Sequence, residues 1–417
     1  MIIENSYRKD NCRLCNSKNL EDVIELTPTP PGNNFLSKNQ LNNKENYYPL
    51  IVRFCHSCAH VQLADVVDPV ILFQDDYKYV SGTSPIFVNH FRNYVTDVLS
   101  NYSIPQGSLI VDIGSNDGTC LSFFKENGFE VLGVDPATEI AAKATAEGIN
   151  TIADFFSKSL AEENLDQHGP AHIITSHNTC AHVDDLNDVF CGVRNWLHDD
   201  GLFIFEVGYL LDVYKNNWFD TIYHEHLDYH SVKPFVSLFD NLEMELISVK
   251  RISPQGGSIR LVVQKQNGRY KKDESVDEII KLEESIGLDN AEIFKDFNNR
   301  INDTKKDLLD LLINLKNEDN LIAGFGAPTK STTLLTHFNI NNELMTFIVD
   351  DNPLKQGKFT PGYHIPIFDS DEVYRSMPDY LVILAWNFAD SIMKKHQEYL
   401  NKGGKFILPM PEVKIIN

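Results

Sequence analysis

The densest chemistry in the sequence is the run Tyr223-His224-Glu225-His226-Leu227-Asp228-Tyr229-His230. Three histidines, a glutamate and two tyrosines within eight residues bracket the proton affinities that general acid–base catalysis needs near neutrality. A metal centre would use the same residue types. However, His224 and His226 at i and i+2 share no helical face, and the His-Glu-x-x-His spacing is missing. Proton transfer is therefore the preferred reading. A second chemical set is the cysteines: Cys12-x-x-Cys15 and Cys55-x-x-Cys58. Each pair can present two thiolates to one tetrahedral ion, and four thiolates suit Zn²⁺. His56 and His60 are alternative ligands, with the cysteines preferred. The long segment between the pairs must fold back, and Pro28, Pro30, Pro31 and Gly32 suit a loop there. Disulfides or a redox Cys-x-x-Cys are the other readings of these thiols. Cys120, Cys180 and Cys191 are scattered and read as core or near-core thiols.

The elements that would position these groups follow from hydrophobic pattern. Leu109-Ile110-Val111-Asp112-Ile113 reads as a buried strand, Gly114-Ser115-Asn116-Asp117-Gly118 as a tight loop, and the residues after it as a helix. A second strand, Glu130–Val134, ends in Asp135, where a carboxylate can accept from both hydroxyls of a ribose. Strand, glycine loop and helix begin a nucleotide-binding α/β unit. Two ligands fit. A dinucleotide wants Gly-x-Gly-x-x-Gly, but here Asn116 replaces the second glycine and Asp117 would repel pyrophosphate. S-adenosylmethionine carries a sulfonium and an ammonium, which an acid at this point suits. Further strands at 149–152, 171–176 and 201–207 alternate with helices, predicting a doubly wound α/β sheet with ligands at the strand C-termini. His177, Asn178 and His182 stand at such an end, and Asp154 ends the third strand. Tyr77 lies in an aromatic, Gly/Ser-containing run before a helix predicted from Pro85, either a linker or a lid facing the glycine loop. Two closing strands are expected at 243–250 and 258–264, and amphipathic helices over 275–315.

A second α/β unit opens at Gly324-Phe325-Gly326-Ala327-Pro328, with acids Asp350-Asp351 after its next strand. It resembles half of a dinucleotide fold without the third glycine. Lys330, Lys355 and Lys358 could counter a diphosphate there, or line a solvated turn. Composition sets the bounds. The 417 residues suggest two or three domains, expected at 1–70, 71–268 and 269–417. With 37 Lys and Arg against 59 Asp and Glu, the net charge of −22 disfavours nucleic acid or an anionic membrane as partner. No apolar run approaches a membrane span and the first residues lack a signal-peptide core, so a cytoplasmic location is expected.

Taken in order, these motifs resemble the nucleotide-sugar C-methyltransferases of deoxysugar pathways. The resemblance rests on the two Cys-x-x-Cys pairs, Val111-Asp112-Ile113-Gly114-Ser115-Asn116-Asp117-Gly118, Tyr223-His224-Glu225-His226, Gly324-Phe325-Gly326-Ala327-Pro328 and Val349 to Lys358. It implies an N-terminal domain with structural zinc on Cys12, Cys15, Cys55 and Cys58. It implies a class I methyltransferase domain holding S-adenosylmethionine through Gly114, Ser115, Asn116, Asp117, Gly118, Asp135, Asp154 and Asn178, and a C-terminal Rossmann-like domain. The implied substrate is a nucleoside-diphosphate 4-keto-6-deoxy sugar methylated at carbon 3. His226 is then the base, Tyr223, His182 and Tyr77 the donors or orienting groups, and Glu225 a partner of the histidine or of a sugar hydroxyl. At His177 a less polar residue would be expected. A monomer is expected. A sugar O-methyltransferase, a nicotinamide-dependent sugar oxidoreductase using Gly324-Phe325-Gly326, and a non-catalytic zinc-organised binding protein are the competing readings.

Overall fold

A computed structural model describes residues 5–73, 80–253 and 256–417. Three sheets carry the architecture. The central one has seven strands in the order Met244–Ile252, Ser258–Lys265, Leu197–Gly208, Ala171–His177, Leu109–Ile113, Glu130–Val134 and Thr151–Ile152. The five inner and edge strands from 197–208 to 151–152 run parallel, because a helix returns the chain after each one. Ser258–Lys265 enters antiparallel against both of its neighbours. The predicted strands and the crossover helices are present, with ends moved by a few residues. The third strand shrinks to two residues.

The burial pattern explains the sheet's sequence. Leu109–Ile113 is buried at all five positions, as a strand covered on both faces must be. Val111 and Ile113 face one apolar core, while Ile110 faces a second beneath the helix Pro85–Asn101.

The N-terminal hairpin pairs Leu20–Thr29 with Tyr48–Cys55. The strand Val61–Leu63 adds to it, and so does Asp228–Tyr229 from the middle of the chain. That pairing fixes the residues just before it, 223–227, against the N-terminal module. Arg13, fully buried, donates from Nη1 to the carbonyls of Leu63 (2.7 Å) and Leu227 (3.3 Å), and its Nε meets Asp184 at 3.0 Å.

The C-terminal sheet has the order Ile367–Phe368, Phe347–Val349, Ile322–Phe325, Tyr380–Ile383, Lys405–Leu408 and Lys414–Ile416, parallel except for the last strand. The proline-rich loop after Thr29 reaches this module: Thr332 Oγ1 donates to the Gly32 carbonyl at 3.2 Å, and Leu36 bridges Phe359. Among the described residues no helix is long and apolar enough to cross a membrane.

Candidate functional site

The four cysteines converge. Cys12 and Cys58 sulfurs lie 3.6 Å apart, Cys15 and Cys55 sulfurs 3.5 Å, and all four sulfurs are within 4.8 Å of one another. A tetrahedral ion with Zn–S bonds of about 2.3 Å separates its sulfurs by about 3.8 Å, so the donor set fits zinc in both type and spacing. All four are free thiols. His56 and His60 do not join them: His56 meets Glu21 at 2.9 Å, and His60 is buried against Asp228 at 2.6 Å. Cys120 and Cys180 are buried and Cys191 is half-buried.

The glycine loop is shaped by its own packing. Gly114 has φ +73°, and a Cβ there would lie 2.0 Å from Thr179 Oγ1 on the loop that follows Ala171–His177. Asp135 is buried, and its two oxygens accept from the amides of Asn116 (2.8 Å) and Ala137 (2.9 Å). Each carboxylate oxygen has a second lone pair, so capacity for a diol remains. Burial raises the Asp135 carboxyl above the usual range, opposed by those two amides. Asn178 adopts φ +60° and donates its amide to Glu206 O at 2.7 Å. Asp154 is exposed at the end of its short strand, one oxygen accepting from the Phe155 amide at 2.7 Å. Residues 81–83 cross the loop: the Ser81 amide donates to Asn116 Oδ1 and the Gly82 amide to Asp117 Oδ2, both at 2.9 Å. Of the segment before the helix, residues 81–83 therefore face the glycine loop. Tyr77 lies outside the described residues. Among those described, Asp112 Oδ1 and Ser115 Oγ are buried without a hydrogen-bond partner, and burial raises the Asp112 carboxyl well above the usual range.

Tyr223, His226 and His182, each half-buried, gather in one cluster around the Glu225 backbone. The segment after the turn Phe219–Thr221 is not helical, so neighbouring side chains diverge. His224 leaves the cluster, packing on Tyr48 and meeting its carbonyl at 3.2 Å. His226 Nδ1 lies 2.9 Å from the Thr221 carbonyl. A carbonyl only accepts, so Nδ1 carries the proton and Nε2 is bare, receiving the Tyr223 hydroxyl at 2.8 Å. His182 is fixed in the same way by the Glu225 carbonyl, and its ring centre is 5.1 Å from that of His226. Burial, then His182 nearby, lowers His226 to about 3, and burial lowers His182 to about 4; both are neutral at physiological pH. Burial pushes Glu225 up to about 7, opposed by Asn33 Nδ2, which donates to it at 2.8 Å.

Several neighbours of the cluster carry no local sequence signal. Asn33 comes from the N-terminal loop and also accepts from Thr329 Oγ1 at 2.7 Å. Asp220, fully buried, accepts from Trp386 Nε1 at 2.8 Å, and Trp386 stacks on Trp218 with centroids 4.5 Å apart. Glu206 is the exception: a lone acid in the apolar run Leu202–Val207 marks a special position. It meets His90 at 2.6 Å, His177 at 3.1 Å and Arg260 at 2.7 Å, which explains the polar residue at 177. Of the three lysines, Lys355 is spent on the Ala327 carbonyl at 2.8 Å, while Lys330 lies beside Asp220 and Trp386. Asp350 accepts from the amides of Ala327 (2.7 Å) and Asn352 (2.8 Å) of its own module.

Comparison with known proteins decides the class. Residues 12–73 match the profile of a zinc binding domain, 88–249 that of a methyltransferase domain and 253–411 that of a C-methyltransferase C-terminal domain. The chain is 33% identical over 408 residues to the C-methyltransferase NovU of Streptomyces niveus, covering 98% of this chain and 97% of that one. The chain belongs to the C-methyltransferase family. Solved structures show a weaker likeness. An S-adenosylmethionine-dependent methyltransferase from Clostridium acetobutylicum matches at TM-score 0.35 and 14% identity, covering 43% of this chain and 92% of that one. The magnesium protoporphyrin IX methyltransferase of Synechocystis with bound S-adenosylhomocysteine matches at 0.35 and 13%, covering 46% and 90%. Likeness at that level carries no argument about the chemistry. This C-methyltransferase has the class I fold with an N-terminal zinc-binding domain, and its cofactors are S-adenosylmethionine and zinc.

Proposed function

We propose that this C-methyltransferase acts on a nucleoside-diphosphate 4-keto-deoxy sugar and places the methyl group on carbon 3. The observation that carries the reading is the locked, neutral His226 with its bare Nε2 turned to Tyr223. Carbon has no lone pair, so a carbon nucleophile must be made by removing a proton, and a ketone next door makes that proton removable. S-adenosylmethionine supplies an electrophilic methyl when bound. The chain's own residues supply the rest. Thr221 holds the His226 tautomer, so the proton leaves carbon for Nε2, directly or through the Tyr223 hydroxyl in a paired shift. The two groups titrate as a pair. His182, fixed through Nδ1, offers Nε2 to the same space. Glu225, near half-protonated at neutral pH, can donate to or accept from a sugar hydroxyl. Gly114 to Gly118, Asp135, Asp154 and Asn178 hold the methyl donor, and the four cysteines hold zinc. The zinc module positions the catalytic run, since Asp228–Tyr229 pairs with Val61–Leu63 three residues after Cys58. The reading divides the chain at about residues 70 and 268.

The test is incubation with labelled S-adenosylmethionine and a panel of 4-keto sugar nucleotides, with the product placed by NMR. A new methyl on carbon 3 is the expected result. A methyl on oxygen, or no turnover with any keto sugar, refutes the substrate reading.

A further inference from the structure

Removing a carbon-bound proton beside a ketone moves an electron pair onto the ketone oxygen. A base alone does not make that favourable in a buried site; preorganised donors must already stand where the oxygen will be, and a cation is the strongest of them. Neither His226 nor His182 is charged at neutral pH, and Tyr223 is committed to His226. A cation near the cluster would supply the donor they do not.

Lys330 is the cation nearest to hand, close enough for its charge to act on His226. Its ammonium lies 3.2 Å from the centroid of the Trp386 ring and, among the described residues, donates once, to Asn387 Oδ1 at 3.0 Å. Among the described residues no carboxylate approaches it within ion-pair distance. Asp220 acts on it through space, and the Asp220 oxygen not bonded to Trp386 has no partner among those residues. An ammonium has three donors, so donors remain for a ligand. The lysine's backbone is pinned to the catalytic run from both sides. Thr329 reaches Glu225 through Asn33, and Thr333 Oγ1 donates to the Ile222 carbonyl at 2.8 Å. The Trp386 platform is held in turn by Asp220, three residues before Tyr223. His226 also feels the ammonium as a nearby positive charge.

We propose that Lys330 is a further catalytic residue, whose ammonium receives the anionic oxygen that the substrate ketone develops as the His226–Tyr223 pair takes the proton. This rests on the keto-sugar reading above. In the step the C–H bond breaks, its proton goes to His226 Nε2, its electron pair forms the carbon–carbon double bond, and the carbonyl π pair becomes an oxygen lone pair beside Lys330. The substrate diphosphate is the other anion that could use this lysine. One ammonium offsets a single developing charge; a diphosphate carries more negative charge than one lysine neutralises.

The experiment compares wild type, K330M and K330R in three measurements. These are methyl transfer, wash-in of solvent deuterium beside the ketone with S-adenosylhomocysteine bound, and Kd for thymidine diphosphate and for S-adenosylmethionine. K330M should lower kcat and wash-in by about 10²–10³-fold. K330R should recover part of both, and each Kd should stay within about twofold in both variants. An unchanged kcat and wash-in overturns the proposal. So does a tenfold weaker thymidine diphosphate Kd with kcat retained at saturation, which assigns the lysine to the diphosphate. A K330M chain that loses S-adenosylmethionine binding is misfolded, and K330R then decides by the same two criteria. Wild type that neither exchanges nor methylates any keto sugar overturns the substrate reading, and the role of Lys330 with it. That outcome is distinct because it appears without any mutation.

Discussion

Glu225→Gln separates the burial of this carboxyl from its function. Gln keeps the shape and an oxygen to accept from Asn33 Nδ2, so the 2.8 Å contact survives. What it removes is the ionisation. Burial raises the Glu225 carboxyl from 4.5 to about 7. At about 1.4 kcal/mol per tenfold change in proton affinity, that difference is about 3 kcal/mol. The folded-state value lies above that of the unfolded chain. The associated stability is therefore complete below pH 4.5 and is lost as pH rises through 7. The variant, which never ionises, escapes that loss. E225Q should match wild type in acid and exceed it by about 3 kcal/mol in alkali, with about 1.4 kcal/mol of the gap opening between about pH 6 and pH 8.5. Urea unfolding followed by tryptophan fluorescence at those two pH values measures it. A gap that does not change with pH would show that Glu225 is solvated in the folded protein. The gain in stability should come with lower methyl transfer, since burying an ionisable acid without a cation beside it makes sense only for a site that uses it.

Four further outcomes follow from the same geometry. His226→Ala should lower kcat by at least about 10²-fold while the Kd for S-adenosylmethionine, measured by calorimetry, stays unchanged. Asp135→Asn takes a charged acceptor from the Asn116 and Ala137 amides and should weaken S-adenosylmethionine binding about tenfold in the same assay. Metal analysis should give one zinc per chain. Cys55→Ser should lower both the zinc content and the melting temperature, because the strand that anchors the catalytic run pairs with the zinc module. Burial lowers Lys330 to about 8, with Asp220 opposing, and His226 feels its charge. Its ammonium is lost above that pH, so kcat should fall on the alkaline side near 8, and the K330R profile should keep its activity to higher pH.

The legible parts of the site are those built from neighbours in sequence. The strand, glycine loop and second acid are read directly because Leu109–Ile113 and Glu130–Val134 lie side by side and Asp135 bonds the Asn116 amide across a short connection. The Cys-x-x-Cys pairs are legible for the same reason, since each knuckle is local and only the hairpin between them was needed to join them. The His/Glu/Tyr run is conspicuous by composition. Its division of labour is not, because Tyr223 to His226 form no regular element: His224 turns to Tyr48, Glu225 to Asn33 and His226 to Tyr223. His56 and His60 resembled ligands only until Glu21 and Asp228 were placed beside them.

The sequence alone determined the alternation of strands and helices in the two α/β units, the chemistry of the four thiols, and which acids end the strands of the first unit. Hydrophobic period and turn residues act over a few positions, and those features need nothing more. Tertiary structure decided which distant groups share one space. Asn33, Asp220, Glu225, Lys330 and Trp386 come from three modules, and each is an ordinary polar or aromatic residue in its own segment. Only when the N-terminal loop and the C-terminal sheet close on the catalytic run is water excluded. Exclusion of water is what turns a plain lysine and a plain glutamate into groups with altered proton affinity.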